Sequence, residues 1–306
     1  MYLYLTSRSI PEKELIRAEC LAITGAAPDK NGIALSEDRA DVSRAAYLRT
    51  GMGILSQAND LPELNNILDD MNISAEDFRV SVEGVPKSLS ADSLKIMQQV
   101  GLRIYGSPNL SNPKITFLVV ITEGRIWLGE VTSRSSNIYD KHAHKPHQYS
   151  SSLPTRLARA MVNLVAKPGD TIIDPCCGSG TILIESASAG ICSVGCDINP
   201  AMVRASIENL EYFGLEASIS EADARSINGS FDAVVTDLPY GRNCPSDDQL
   251  CQEILQNLRN LAPIAAVALC LDEIDLITRM GYSIEKVIPV PKSSLTRYIY
   301  VIKSIG

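Results

Sequence analysis

No stretch of this sequence approaches the roughly 20 consecutive apolar residues needed to span a bilayer. Nor do its first residues, Met1-Tyr2-Leu3-Tyr4-Leu5-Thr6, carry the basic segment and cleavage-like site of a secretory signal; they read as a strand. These two absences point to a cytoplasmic protein with no membrane partner. Zinc-type spacing is missing too. The eight cysteines include the neighbours Cys176 and Cys177 and the pair Cys192 and Cys196. They form no C-x2-C pairs and no Cys/His set at ligand spacing, so reduced thiols and no metal are expected. Internal repeats and low-complexity tracts are also lacking.

An overall positive charge is absent as well: the formal net charge is −8, which excludes a chain that is basic throughout. The charge is unevenly placed, however. Residues 79–159 carry 11 Lys/Arg against 5 Asp/Glu, a local +6, and hold all three histidines, which leaves −14 for the remainder. A basic segment within an acidic chain suits a protein that meets phosphates with one region and handles a small ligand with another.

What is present is ordinary for a globular protein, 45% hydrophobic and 21% charged, and 306 residues suffice for two domains. Over residues 1–55 the pattern predicts a short strand, a helix over 11–21 and a second helical stretch over 38–50. Leu61, Leu64, Leu68 and Met71 recur at spacings of three and four, predicting a helix over 59–71. Residues 78–84 alternate as a strand, and 91–100 form an amphipathic helix closed by Gly101. Glu123-Gly124 joins strands over 115–121 and 125–131 in a hairpin. Residues 133–152 are polar, contain His142, His144 and His147, and read as a linker with solvated histidines. Ser152-Leu153-Pro154 then opens a helix, with Leu157, Met161, Leu164 and Val165 along one face.

From Asp170 onward strands and helices alternate. Strands are expected over 171–174, 193–197, 218–221, 233–237 and 265–271, and helices over 181–189, 201–213, 247–261 and 272–280. This alternation implies an α/β domain, a mostly parallel sheet covered on both faces. The last runs, 283–290 and 295–303, read as an antiparallel hairpin.

The chemistry concentrates where these strands end. Thr171-Ile172-Ile173-Asp174-Pro175-Cys176-Cys177-Gly178-Ser179-Gly180-Thr181 is an apolar strand running into a small glycine loop that opens a helix. Such a loop lets a ligand approach the backbone closely. The Lys-Ser/Thr of a phosphate-binding loop does not follow the last glycine, and the dinucleotide pattern G-x-G-x-x-G is incomplete. Asp197 ends the second strand, where an acid can bind ribose hydroxyls; Asp223 follows the third and Asp237 ends the fourth. Four strands thus deliver polar groups to one edge.

Asp174-Pro175-Cys176-Cys177-Gly178-Ser179-Gly180-Thr181 resembles motif I of the class I S-adenosylmethionine-dependent methyltransferases. Asp237-Leu238-Pro239-Tyr240 is similar to the (D/N/S)-P-P-(Y/F) motif of those that act on amino nitrogens, with Leu238 in place of the first proline. Residues 157–164 resemble the matching helix of the archaeal tRNA guanine-10 N2-methyltransferases. Residues 60–132 look like a THUMP domain, an RNA-binding module, and residues 1–55 like its ferredoxin-like companion. The resemblance implies an N-terminal α+β ferredoxin-like and THUMP region over 1–132 and a linker over 133–152. Over 153–306 it implies a Rossmann-like methyltransferase domain, its seven-stranded sheet ending in the antiparallel hairpin.

That family's activity would be methyl transfer from S-adenosyl-L-methionine to the exocyclic N2 of a guanosine in tRNA, at guanosine 10, once or twice. The cofactor would lie against Asp174, Pro175, Cys176, Gly178, Gly180, Thr181, Asp197, Ile198, Asp223, Ala224 and Asp237. Asp237, Leu238, Pro239 and Tyr240 would be catalytic: Asp237 and the Leu238 carbonyl would accept the amino hydrogens, and Tyr240 would stack on a flipped base. Lys141, Lys145, Arg156 and Arg159 are the expected phosphate contacts. Two rival readings stay open: an amino-methyltransferase for another RNA, for DNA or for a protein, and a tRNA-binding protein whose catalytic half is inactive. The need for a small activating protein subunit is open too.

Overall fold

In the computed structural model every residue is described except Ile10, 239–247, Leu271, Ser293, Ser294 and Gly306, with the side chains of Asp248, Lys292 and Leu295 also outside the description. The chain begins with β1 (Tyr2–Thr6), α1 (Lys13–Thr24), β2 (Ile33–Ser36) and β3 (Leu48–Ala58). It continues through α2 (Leu61–Met71), β4 (Phe78–Val85), a 3-10 turn (Lys87–Ser90) and α3 (Ser93–Gly101) to β5 (Ile115–Thr122) and β6 (Arg125–Arg134). A short α4 (Tyr139–His142) and α5 (Thr155–Val165) precede β7 (Thr171–Asp174), α6 (Thr181–Ser188), β8 (Cys192–Asp197) and α7 (Pro200–Tyr212). The last elements are β9 (Ser218–Glu221), β10 (Ala233–Asp237), α8 (Asp248–Leu261), β11 (Ile264–Leu269), α9 (Ile274–Arg279), β12 (Tyr282–Lys292) and β13 (Leu295–Ser304).

Two compact units emerge, and neither is one continuous stretch. The first comprises Met1–Ser7, Thr24–Ser43 and Leu48–Ser135; the second comprises Arg8–Ile23, Arg44–Tyr47 and Ser136–Gly306. The first unit is a six-stranded sheet in the order β2-β1-β3-β6-β5-β4, antiparallel except for the parallel β4–β5 pair. That parallel pair needs a crossover, which α3 supplies. Helices α2 and α3 bury Leu64, Leu68, Ile96 and Val100 with Phe78, Val119 and Leu128. Asp60 caps α2 by accepting the Glu63 N–H at 2.8 Å, and Gly124, at φ +85°, turns β5 into β6.

The second unit carries a seven-stranded sheet in the order β12-β13-β11-β10-β7-β8-β9, parallel but for the antiparallel β13 and its hairpin with β12. Its central strands are apolar on both sides and divide by alternation. Ile172, Ala233, Val235, Ala266 and Ala268 pack with α5. Ile173, Val234, Ala265 and Val267 pack with α8 and α9. Strand order reverses at β7, which lies between β8 and β10, so their carboxyl ends frame a crevice.

Two expectations from the sequence are corrected. No helix forms over 38–50. Asp41 Oδ1 accepts the Ser43 N–H at 2.9 Å, and β3 begins at Leu48. The N–H groups of Ala46 and Tyr47, which a helix would use in its own ladder, bond the two Glu19 oxygens at 2.8 and 2.7 Å. Residues 136–152 are likewise no free linker. They belong to the second unit, fold locally into α4, and place His142 and Lys145 in its interior. The second unit also takes α1, because Leu15, Ile16 and Ala18 share a core cluster with Ala46, Tyr47 and α5.

Glu19 is fully buried, and burial raises its pKa against the lowering effect of the hydrogen bonds from Ala46, Asn163 and Tyr47. Its Oε1 also accepts Asn163 Nδ2 at 2.7 Å. Glu19→Ala would leave two backbone N–H groups without acceptors and take one of the two acceptors from the Asn163 amide, whose Nδ2 also donates to the Arg44 carbonyl. A loss of about 2–4 kcal/mol is expected in urea unfolding; a midpoint unmoved by the substitution would contradict this role.

Candidate functional site

The crevice is built upward from β7. Asp174, 1% exposed, is the last residue of that strand; its Oδ1 accepts the Thr236 hydroxyl at 2.9 Å and the Cys176 N–H at 3.2 Å. Thr236 directly precedes Asp237, so one hydrogen bond ties the ends of β7 and β10. Burial, against those two bonds and helped by the charges of Asp237 and Asp197, lifts the Asp174 carboxyl to about 7. Burial also raises the thiols of Cys176 and Cys177, which disqualifies them as thiolate nucleophiles at neutral pH.

Beyond Pro175 and Cys176 the loop turns through Gly178 and Gly180, at φ +52° and +79°, a region that strains other residues. The two glycines serve different ends. Gly178 has open space where a Cβ would stand, as a loop that receives a ligand requires, whereas a Cβ on Gly180 would run into Ser206 of α7. The Gly178 N–H reaches Asp197 Oδ2 at 2.9 Å and Cys177 N–H reaches the Cys196 carbonyl at 2.8 Å, fastening the loop to β8. Asp197 Oδ1 accepts the Asn199 N–H at 2.9 Å, and Ile198 between them is 68% exposed on the rim. The Ala222 N–H bonds the Asp197 carbonyl at 3.2 Å, bringing the end of β9 alongside with Asp223 and buried Ala224. Arg225 takes the Asp223 carboxylate at 2.6 Å and holds its pKa down.

Asp174, Pro175, Cys176, Gly178, Gly180, Thr181, Asp197, Ile198, Asp223, Ala224, Asp237 and Leu238 therefore gather at one edge of one sheet. Pro239 and Tyr240 lie outside the described residues. Leu238 is buried, its N–H on the Ala268 carbonyl at 3.3 Å. Arg297 of β13, mostly buried, sets its Nη2 3.7 Å from Asp237 Oδ2. Arg297 and Thr236 are not among the site residues expected from the sequence. Thr236 carried a signal in its place beside Asp237 at a strand end; Arg297, far along the chain, carried none.

The expected phosphate contacts fare differently. Lys141 is exposed. Arg156 is half-buried, stacked 4.1 Å over the Tyr47 ring with its Nε on the Ala46 carbonyl at 3.0 Å. Arg159 and Lys145 are 1% and 5% exposed and cannot meet a phosphate, which corrects that expectation. Arg159 Nε bonds Glu185 Oε2 at 2.6 Å, and His142 Nδ1 lies 2.8 Å from Glu185 Oε1. Lys145 Nζ donates to Thr181 Oγ1 at the start of α6. Asn209 of α7 accepts the His147 N–H and donates to the carbonyls of His147 and Ser179, at 2.8, 3.0 and 2.9 Å. Segment 142–152 is thus tied to the glycine loop, which its polar composition hid.

A family model described as an RMKL-like methyltransferase domain matches residues 143–285. The tRNA (guanine(10)-N2)-dimethyltransferase of Methanothermobacter thermautotrophicus is 31% identical over 273 residues, 81% of this chain and 79% of that protein. The chain belongs to that family. The enzyme of the same name from Methanocaldococcus jannaschii is 34% identical, across 71% of this chain and 73% of its own length. Among solved structures, TrmN from Thermus thermophilus has a TM-score of 0.51 at 19% identity and covers 99% of both chains, a likeness of fold.

The raised Asp174 pKa has a measurable consequence. Between the ordinary 3.8 and about 7 the folded chain keeps a proton on Asp174 that the unfolded chain releases, so this contribution to stability is lost as pH rises through that window. Asp174→Asn abolishes the dependence. Relative to the native chain, the variant's unfolding free energy should rise by on the order of 1 kcal/mol per pH unit across the window. Denaturant titrations at several pH values test it, and a pH-independent difference would refute the assignment.

Proposed function

We propose that this chain transfers a methyl group from S-adenosyl-L-methionine to the exocyclic N2 of a guanosine in tRNA, at guanosine 10, once or twice. The observation that carries this reading is the assembly of Asp174, the Gly178–Gly180 loop, Asp197 and Asp237 along one sheet edge in a member of this family. The residues fit the cofactor. Gly178 leaves backbone open to an approaching ligand, Asp197 stands where ribose hydroxyls are bound, and exposed Ile198 offers an apolar surface to a base. Asp223 and Ala224 bound the adenine end. Three carboxylates, Asp174, Asp197 and Asp237, make a crevice suited to a cation.

The bound cofactor supplies an electrophilic methyl group. The chain's part is to present the amino nitrogen to it. A guanine N2 lone pair is delocalised into the ring, and hydrogen bonds from its N–H groups to Asp237 and to the Leu238 carbonyl localise it on nitrogen. Arg297, with its Nη2 3.7 Å from Asp237 Oδ2, keeps that carboxylate oriented. Tyr240 stacks on the base, which must leave its helix to enter. The first unit is the RNA-capturing THUMP region on this reading, and the protein is cytoplasmic.

For the phosphates, Lys141 keeps its place, and an arginine cluster of the first unit replaces Lys145 and Arg159. Arg49, Arg79 and Arg134 lie close enough that burial first, and then the Arg79 and Arg49 charges, lower the Arg134 pKa. Arg49 pairs with Glu83. Among the described residues, buried Arg79 Nε finds no acceptor. Three neighbouring arginines, of which Arg49 and Arg134 feel the Glu83 charge, suit a polyanion.

Two experiments follow. Incubated with unmodified tRNA transcript and labelled cofactor, the protein should yield N2-methylguanosine or its dimethyl form by nucleoside mass spectrometry. Asp237→Ala should lower the rate by about 100-fold or more; undiminished methylation would remove Asp237 from the chemistry. Separately, Arg79→Ala with Arg134→Ala should weaken tRNA binding and reduce the slope of log K against log salt by about 1 per lost contact. An unchanged slope would show that these arginines do not meet phosphate.

A further inference from the structure

The second unit holds a cavity that the crevice does not account for. It measures about 760 Å³ and lies where α4, the end of α6 and the end of α7 meet. The chain after α4 runs antiparallel to α6. Lys145 meets Thr181 at the start of that helix, His142 meets Glu185 one turn on, and Lys141 lines the cavity with Ser188 and Gly190 at its end. The Gly190 carbonyl accepts the Gly169 N–H, which places the cavity beside the start of β7. The glycine loop, at the other end of β7, is a whole helix away, about 12 Å for the eight residues of α6. Neither the cofactor nor the reacting base fills this space, yet its volume falls within the roughly 300–1,000 Å³ of sites that hold small molecules.

Its walls are of two kinds. Phe213, Leu215 and Ala187 form an apolar side that continues into the cluster of Leu183, Ile184 and Leu210. Tyr212 belongs to the same wall and is 64% exposed; its ring lies 5.0 Å from that of Phe213 at 81°. Phe213 in turn meets the His142 ring at 4.8 Å, and Glu185 holds His142. An exposed ring braced by a second ring is a stacking surface. The other wall carries Lys141 and His144, both exposed. Among the described residues the histidine ion pairs are His142–Glu185 and His147–Glu208, and no ion pair takes Lys141 or His144. Although the chain's net charge is −8, none of the described residues lining the cavity is Asp or Glu. The carbonyls ending α6 and α7 are met by their own chain: the N–H groups of Gly190, Ile191, Gly214 and Leu215 bond those of Ala187, Ser186, Glu211 and Leu210. The cavity therefore offers an aromatic face and cationic donors, and no acid.

Such walls suit a ligand that is flat and apolar at one end and anionic at the other. A nucleotide whose base is free of pairing has that form, and stacking on an aromatic side chain beside basic groups is how single-stranded nucleic acid is held. We propose that this cavity binds an unpaired nucleotide of the tRNA, its base stacked on Tyr212 and its phosphate met by Lys141 and His144. This rests on the reading of the chain as a tRNA methyltransferase, and it adds a second hold on that RNA remote from the crevice. Every base has a face to stack, so the hold depends on the nucleotide being unpaired and little on which base it carries.

The test measures binding of the full chain, without cofactor, to two labelled RNAs by fluorescence anisotropy: an unmodified tRNA transcript and a blunt, fully paired duplex. Tyr212→Ala should weaken the transcript by about 5- to 100-fold and leave the duplex as it was, whereas Tyr212→Phe should hold the transcript within about two-fold of native. Lys141→Ala should lower the slope of log K against log salt for the transcript by about 1. Equal weakening of transcript and duplex in Tyr212→Ala would make Tyr212 a structural residue and overturn the proposal, as would a transcript affinity that Tyr212→Ala leaves unmoved. In that last case, calorimetric binding of adenosine 5′-monophosphate that the variant loses would assign the cavity to a free nucleotide instead. A native chain that binds neither RNA would overturn the tRNA reading itself.

Discussion

The fully buried carboxylate of Glu185 fixes the helix on which the crevice depends. It sits one turn into α6 and takes Arg159 of α5 on one oxygen and His142 on the other. Arg159 continues to the Ser188 hydroxyl, and the His142 ring packs edge-on against Phe213 at 4.8 Å. Breaking a buried pair of this kind costs about 3–5 kcal/mol, because the remaining charge stays uncompensated. The arrangement pins three separate stretches of chain to one helix. The first turn of that helix closes the glycine loop, so ordering Glu185 also orders the place where a ligand meets backbone.

From that anchor the polar groups of the edge follow in sequence. The Asp174–Thr236 bond joins β7 to β10, the Gly178–Asp197 bond joins the loop to β8, and the Ala222–Asp197 bond adds β9. Each link uses a backbone N–H or a short side chain, and so involves little side-chain freedom that must be lost on ordering. Four strand ends are thereby held by groups that also face the crevice. A substitution at Asp197 would loosen the loop as well as remove the proposed ligand contact, so on that reading losses of stability and of binding would come together.

The parallel sheet was legible because its strands are short apolar runs ended by Asp, and β7, β9 and β10 begin and end at the residues expected. Asp174, Asp197 and Asp237 were legible for the same reason: each is a charged residue at the end of a run that must be buried. Residues 38–50 were misread because the periodicity resembles a helix, while the N–H groups that a helix needs are taken by Glu19, 27 and 28 residues distant in the chain. Lys145, Arg156 and Arg159 look alike as letters in a basic segment. Their fates depend on Thr181, Tyr47 and Glu185, and no local pattern announces those partners. Charge counted along a chain reports composition; whether a charge reaches solvent is decided by long-range packing.

The acidic crevice bears on turnover as well as on binding. Methyl transfer converts a sulfonium cation into a neutral thioether, so on the proposed reading the attraction of Asp197 and Asp237 for the ligand falls as the reaction proceeds. At an effective dielectric of about 20 a unit charge 4 Å away is attracted by about 4 kcal/mol, enough for an adjacent carboxylate to favour substrate over product. On the proposed reading, an edge lined by carboxylates therefore loosens its hold on the spent cofactor. The acids of the crevice thus discriminate between the two forms of the cofactor. Burial lifts the Asp174 carboxyl to about 7, which limits the repulsion among three neighbouring acids.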